Sequence, residues 1–335
     1  MADAARQIAD AVLYEGYLLW PYRRSALKNR QRWTFGGVYP RGHSDGRADD
    51  PWEMRAQCLL EGPDDAPLGV SVRFLHVVRR QVRRLGPDGF EDVDELTLAG
   101  ERHLSWEEAV EREVVADGLP LGELGEALAL PVEIAQGHEH EELRDAAGEL
   151  AGAIVRSWRP LEGTVDIRAE RLRAGLFRIE VRVANDTPWP GGSREQALER
   201  TFCSTHAVLR AHAAQFVSLT DPPEDLRAET AACRNEGSWP VLVGELGDRH
   251  TVLAAPIILE DHPRIAPESP GDLFDGGEID QLLTLNILSL TDEEKAEMRQ
   301  SDPRAREILE RTEALSEGEL MSLHGTMREF RQVRG

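Results

Sequence analysis

The sequence predicts an α+β fold: an antiparallel, β-rich body with flanking helices, followed by an acidic, helical C-terminal segment. Three observations predict it. Residues 69–84 alternate, with Val70, Val72 and Phe74 on one face and Ser71, Arg73 and Leu75 on the other, which is the period of a strand. Ile179, Val181 and Val183 repeat that period after a turn at Gly175. The tail changes character and carries helix-start signals at Thr291-Asp292-Glu293-Glu294 and Ser316-Glu317-Gly318-Glu319. In such a box a hydroxyl and a carboxylate three residues on satisfy each other's backbone donors.

The elements follow in order. Residues 2–14 read as a helix, with Ile8, Val12 and Leu13 near helical spacing. Tyr14 to Tyr22 is an aromatic-dense turn, Arg32 to Tyr39 a strand, and Gly42 to Pro51 a polar loop. Strands are expected over 52–61 and 69–84. Gly86-Pro87-Asp88-Gly89 has turn chemistry, so a strand over 92–98 completes a hairpin. Ser105-Trp106-Glu107-Glu108 fits a capping box and predicts a helix over 106–116. Residues 143–156 fit neither period cleanly.

After Pro160 the pattern is β again, over Thr164 to Leu172 and Leu176 to Val183. Pro188-Trp189-Pro190-Gly191-Gly192 is a rigid loop, and Ser193 to Arg200 a short helix. One or two strands are expected over 202–219, and two more over 240–246 and 251–259. Ile279 to Leu290, residues 292–300 and the stretch opened by Asp302-Pro303 read as helices, since proline is tolerated at the first helical position. The expected division is 1–160, an α+β domain; 161–260, a β-rich domain; and 261–335, a helical segment.

Composition bounds the function. A chain of 335 residues with 41% hydrophobic content can bury a core without disulfide or metal staples. Cys58, Cys203 and Cys233 are its three cysteines, an odd number at wide spacing that frames neither disulfides nor a zinc knuckle. The N-terminal apolar run is too interrupted for a signal-peptide core, and no stretch approaches the roughly 18 apolar residues of a membrane span. A cytoplasmic protein without membrane insertion is therefore expected. The net charge of −22 is uneven. Residues 17–84 hold 13 Arg/Lys against 7 Asp/Glu, and residues 88–150 hold 3 against 19. Residues 260–335 hold 9 against 18. Such a chain repels nucleic acid on approach, so none is expected as a partner.

Several clusters could carry chemistry. His138-Glu139-His140-Glu141-Glu142 places two imidazoles among carboxylates, a donor set for zinc or nickel; the alternative is a solvated acidic loop. Cys203-Ser204-Thr205-His206 adds a thiol and an imidazole, which face opposite sides if the segment is a strand. Together His138, His140, Cys203 and His206 form the candidate metal set, for nickel, zinc or iron. Arg23, Arg24, Lys28, Arg30 and Arg32 interleave with Tyr22 and Trp33 and suit an acidic partner or cation–π packing. The sequence has no Walker loop, Rossmann glycine fingerprint, Gly-x-Ser-x-Gly elbow, HExxH or paired CxxC. No catalytic residue is assigned. A non-enzymatic role is preferred, with an enzyme of unrecognised site as the alternative.

Two segments resemble a known family. Tyr14–Trp33 (YEGYLLWPYRRSALKNRQRW) and Pro256–Met298, with its Ala-Pro-Glu-Ser-Pro-Gly-Asp-Leu-Phe-Asp run at 266–275, are similar to proteins encoded in actinobacterial and related gene clusters for [NiFe] uptake hydrogenases. The resemblance covers about a fifth of the chain. It implies an accessory role in assembly, maturation or attachment, with a hydrogenase subunit or maturation protein as partner, and brings no catalytic residues. Glu268, Asp272 and Asp275 around Leu273 and Phe274 suit docking, with apolar anchors inside a charged rim.

Overall fold

A computed structural model describes residues 4–14, 35–263, 286–301 and 303–315. The chain forms two compact units; among the described residues, one holds 4–14 and 35–263 and the other 286–301 and 303–315. Arg23, Arg24, Lys28, Arg30, Arg32, Glu268, Asp272, Leu273, Phe274 and Asp275 lie outside the described residues, as does the box at Ser316.

The larger unit opens with helix α1 (Ala4–Tyr14) and one turn, α2 (Arg41–Ser44). Strands follow: β1 (Glu53–Glu61), β2 (Pro67–Gly86), β3 (Gly89–Val93), β4 (Glu95–Leu98), β5 (Glu101–Leu104), β6 (Trp106–Pro120), β7 (Leu128–Ile134), β8 (Gly137–Arg144), β9 (Leu150–Trp158), β10 (Leu161–Arg173) and β11 (Leu176–Asn185). A short helix α3 (Arg194–Leu198) precedes β12 (Cys203–Ala211) and β13 (Gln215–Val217). Helix α4 (Arg227–Ala231) and strands β14 (Trp239–Leu242) and β15 (Thr251–Ala255) complete it. The fold is α+β and antiparallel.

Two sheets share one core. The first has the order β13-β1-β11-β10-β7. The second runs β14-β15-β12-β2-β9-β8, with β6 and β3 also pairing β2. Val165 and Ile167 of β10 and Ile179, Val181 and Val183 of β11 meet Val70, Val72 and Phe74 of β2 and Leu209 of β12. The alternation read in the sequence is thus the inward face of each sheet. Phe74 stacks on Phe202 at 4.6 Å between ring centroids. The outer face of the second sheet is also apolar, and Ala9 and Val12 of α1 cover Val208, Val241 and Leu253 there. On that same side Arg73 pairs with Asp10 of α1 at 2.7 Å and with Glu111 of β6 at 3.1 Å.

Strand β2 spans two environments. Its Leu68–Leu75 stretch pairs β12 on one edge while residues 67–80 pair β6 on the other. Beyond that, residues 79–84 pair β9 and residues 82–86 pair β3. The distal part is an arm with its own small cluster of Val82, Leu143 and Ile154, flanked by Val93, Leu96 and Leu98. The predicted hairpin turn is present, with Gly89 at φ +116°, a region only glycine enters freely.

Three expectations give way. The helix predicted over 106–116 is strand β6. Ser105 does not cap: its hydroxyl donates to the Val93 carbonyl at 2.7 Å and accepts from the Val82 N–H at 2.9 Å. Glu108, the box partner, instead pairs with Arg156 at 2.8 Å. A long pairing with β2 outweighs local propensity. The acidic stretch 138–142 is not a loop but strand β8, paired to β9. The boundary expected near 160 does not divide the fold, because β1 lies between β11 and β13 in one sheet.

In the smaller unit α5 (Asp292–Ser301) and α6 (Pro303–Glu313) pack together. The Thr291 box forms as expected: the Glu294 N–H donates to Thr291 Oγ1 at 3.3 Å, and the Thr291 N–H donates to Glu294 Oε2 at 2.9 Å. Glu313 closes the hairpin by accepting from Arg299 at 2.6 Å and Lys295 at 3.3 Å. Among the described residues no helix is long and apolar enough to cross a membrane.

Candidate functional site

A cleft lies where residues 35–39 run beside β12. Val38 exchanges backbone hydrogen bonds with Phe202, and the Phe35 and Gly36 carbonyls accept from Ser204 and Thr205. Ser204 sits at φ +52°, in the bulge that shifts the β12 register between Cys203 and His206. Gly36 has φ +57°, and a Cβ there would lie 2.6 Å from the Pro256 ring. No side chain fits that approach, so glycine is required on two counts.

The cleft is about 190 Å³ and is lined by Phe35, Tyr39, Pro51, Met54, Trp239 and Pro256, with Asp49, Glu53 and Arg194 as its charged groups. Phe35 and Trp239 stand 41% and 42% exposed at its mouth. Trp239 opens β14, the outermost strand of its sheet.

A buried polar frame backs this cleft. His43 Nε2 lies 3.0 Å from Asp50 Oδ2, with both side chains almost wholly buried. Arg194 donates to Asp50 Oδ1 at 3.1 Å and also to the Tyr39 hydroxyl. Tyr39 stacks on His43 at 5.3 Å, and Trp189 meets that imidazole edge-on at 5.4 Å. Arg194 is presented at the first turn of α3, whose Ser193–Gln196 capping box forms. Burial would raise the Asp50 carboxyl, but hydrogen bonds from Arg194 and His43 overcome it and hold the group below its ordinary value. Burial pushes the Tyr39 phenol up, with the Asp50 charge adding to it and Arg194 opposing. The phenol is therefore neutral at pH 7. A His–Asp pair can serve general-base chemistry, but this imidazole is 2% exposed and in contact with two rings. Such burial and ring packing suit the frame to holding the shape of the cleft.

The sequence-predicted metal set is dispersed. His138 and His140 share one exposed face of β8 with Glu142. Cys203 and His206 are fully buried in β12. Cys203 pairs with Leu75 of β2, whereas His138 lies two strands out from Arg79. His206 Nδ1 donates to the Ser204 carbonyl at 3.1 Å, since a carbonyl oxygen only accepts, so Nδ1 carries the proton. Among the described residues no group of three or more His, Cys, Asp or Glu side chains is disposed to hold a metal ion.

Sequence reasoning missed Tyr39, Asp50, Arg194 and Trp239. One signal pointed to the place: the rigid Pro188–Gly192 loop directly before the Ser193 box, whose Trp189 buttresses His43. Asp50 lay unremarked among the four charged residues of a polar loop. No family model matches the sequence, and no curated protein matches it.

Proposed function

We propose that the protein is a non-enzymatic docking component that binds a [NiFe] uptake hydrogenase subunit or its maturation machinery. The observation that carries this reading is a meeting of chain positions. The first hydrogenase-cluster-like segment ends at Trp33, two residues before Phe35, and the second begins at Pro256. Gly36 and Pro256 are in contact in the cleft. The fold therefore gathers the flanks of both resembling segments at one site, 220 positions apart in sequence. The exposed rings of Phe35 and Trp239, set against prolines and a rigid polar frame, are the kind of anchors that dominate protein interfaces.

The test is affinity purification from hydrogenase-expressing cells. The unaltered chain recovers a hydrogenase or maturation polypeptide, and a Phe35→Ala/Trp239→Ala variant recovers at least ten-fold less. Deleting the gene lowers hydrogen uptake. Recovery of no such polypeptide, with uptake intact after deletion, ends the proposal.

A further inference from the structure

A second cleft lies where the arm leaves the body of the fold. It is about 110 Å³ and is lined by Val77, Arg79, Ser157, Trp158, Arg159 and Glu199. Strand register builds it: Arg79 of β2 and Ser157 of β9 are directly paired, so their side chains rise from one face about 5 Å apart. Arg159 follows two residues after Ser157, where β9 has ended.

The charge there is unbalanced. Arg159 donates to Glu199 at 3.0 Å. Arg79 is exposed and forms no ion pair among the described residues, and neither does the adjoining Arg200. Arg79 and Arg159 thus share the lining with one carboxylate, Glu199, while Glu107 of β6 stands across from Arg79 outside that lining. Burial and the nearby Arg159 charge both depress the Arg200 guanidinium, with Glu199 opposing; an anion would relieve that repulsion. Most other arginines of the arm are matched: Arg83 with Asp92, Arg84 with Glu91, Arg156 with Glu108 and Glu141. Trp158 spends its indole N–H on the Ala135 carbonyl at 3.1 Å, so it contributes a wall and no donor.

We propose that this cleft binds a single phosphate group, held by Arg79 and Arg159 with the Ser157 hydroxyl as a further donor. Guanidinium forks match phosphate oxygens in pairs, and a cleft of about 110 Å³ has room for one such group. The phosphate is either the free ion or a phosphomonoester.

Calorimetric titration of the full chain tests this, with inorganic phosphate and phosphoserine as probes at matched ionic strength. One site per chain is expected. Arg79→Gln and Ser157→Ala, each checked for an unchanged melting profile, weaken it at least ten-fold and about three-fold. Arg84→Gln, which alters an arginine outside the cleft, leaves it unchanged. Tighter binding of phosphoserine identifies an ester as the ligand, and equal or weaker binding identifies the free ion. No saturable heat with either probe overturns the proposal, as does equal affinity in Arg79→Gln and Arg84→Gln.

Discussion

From Leu68 to Val78 every residue of β2 except Ser71 is buried, whereas from Arg79 to Gly86 only Arg80 and Val82 are. The first half has the opposing sheet on one face and α1 on the other, so even its odd positions are covered. The second half has a small apolar cluster on one side and solvent on the other. The first is held by area removed from water, the second by alternate charges paired across strands. A single strand can therefore carry a rigid body and a separately loosened arm, because the two parts lose stability to different perturbations.

The largest effect should come from emptying the packed half. Phe74 is fully buried against Phe202, and Phe74→Ala is expected to cost about 3–5 kcal/mol, read as a shift in the denaturant midpoint. In the arm, Ile154→Ala removes one member of a three-residue cluster and should cost nearer 2 kcal/mol. Hydrogen exchange should then quicken in residues 79–93 and 138–158 and leave β10 and β11 protected. If Ile154→Ala exposes β10 and β11 to exchange as well, the two halves are one cooperative unit and the comparison breaks.

Acid should weaken the packed half next. His76 is held down to about 4, by burial and then by the Arg112 charge. His206 is also held down to about 4, chiefly by burial with Arg73 adding to it, against the Ser204 carbonyl. Each takes up a proton near pH 6.5 when unfolded and near pH 4 when folded. The unfolded chain thus binds more protons between those values, and stability falls as pH drops from 6.5 to 4. Each contributes on the order of 3 kcal/mol over that window. A His206→Gln variant should show a shallower decline of melting temperature with pH from 7 to 4. An identical slope in both proteins would remove His206 from the account.

The β body was legible because its signal is periodic: Val70, Val72 and Phe74 declare their face, and Gly175 its turn. Strand β6 was not, because Ser105 and Glu108 satisfy a helix-start pattern locally, and only the long partner β2 decides otherwise. Nothing in residues 103–116 specifies that partner. The candidate site was less legible still. Asp50 and Arg194 are 144 positions apart, and their meeting depends on where α3 falls across the loop after α2. His138 and Cys203 looked like members of one set because sequence carries residue type without lateral position in a sheet.

The smallest effect separates two kinds of ion pair within the arm. Arg84 and Glu91 meet at 2.9 Å with both side chains more than half exposed. Solvent screens such a pair, and ordering two long side chains offsets the gain, so a double-mutant cycle should return about 0.2–0.5 kcal/mol. Arg156 and Glu108 meet at 2.8 Å with side chains 28% and 22% exposed, and Arg156 also reaches Glu141. Less water and a shared network should raise that coupling to about 1 kcal/mol or more. Salt sharpens the difference: raising the ionic strength from 0.05 to 0.5 M should abolish the Arg84–Glu91 coupling and leave most of the Arg156–Glu108 coupling. Equal couplings with equal salt dependence would mean that the arm is charge-decorated rather than charge-held, and that the Val82, Leu143 and Ile154 cluster alone sustains it.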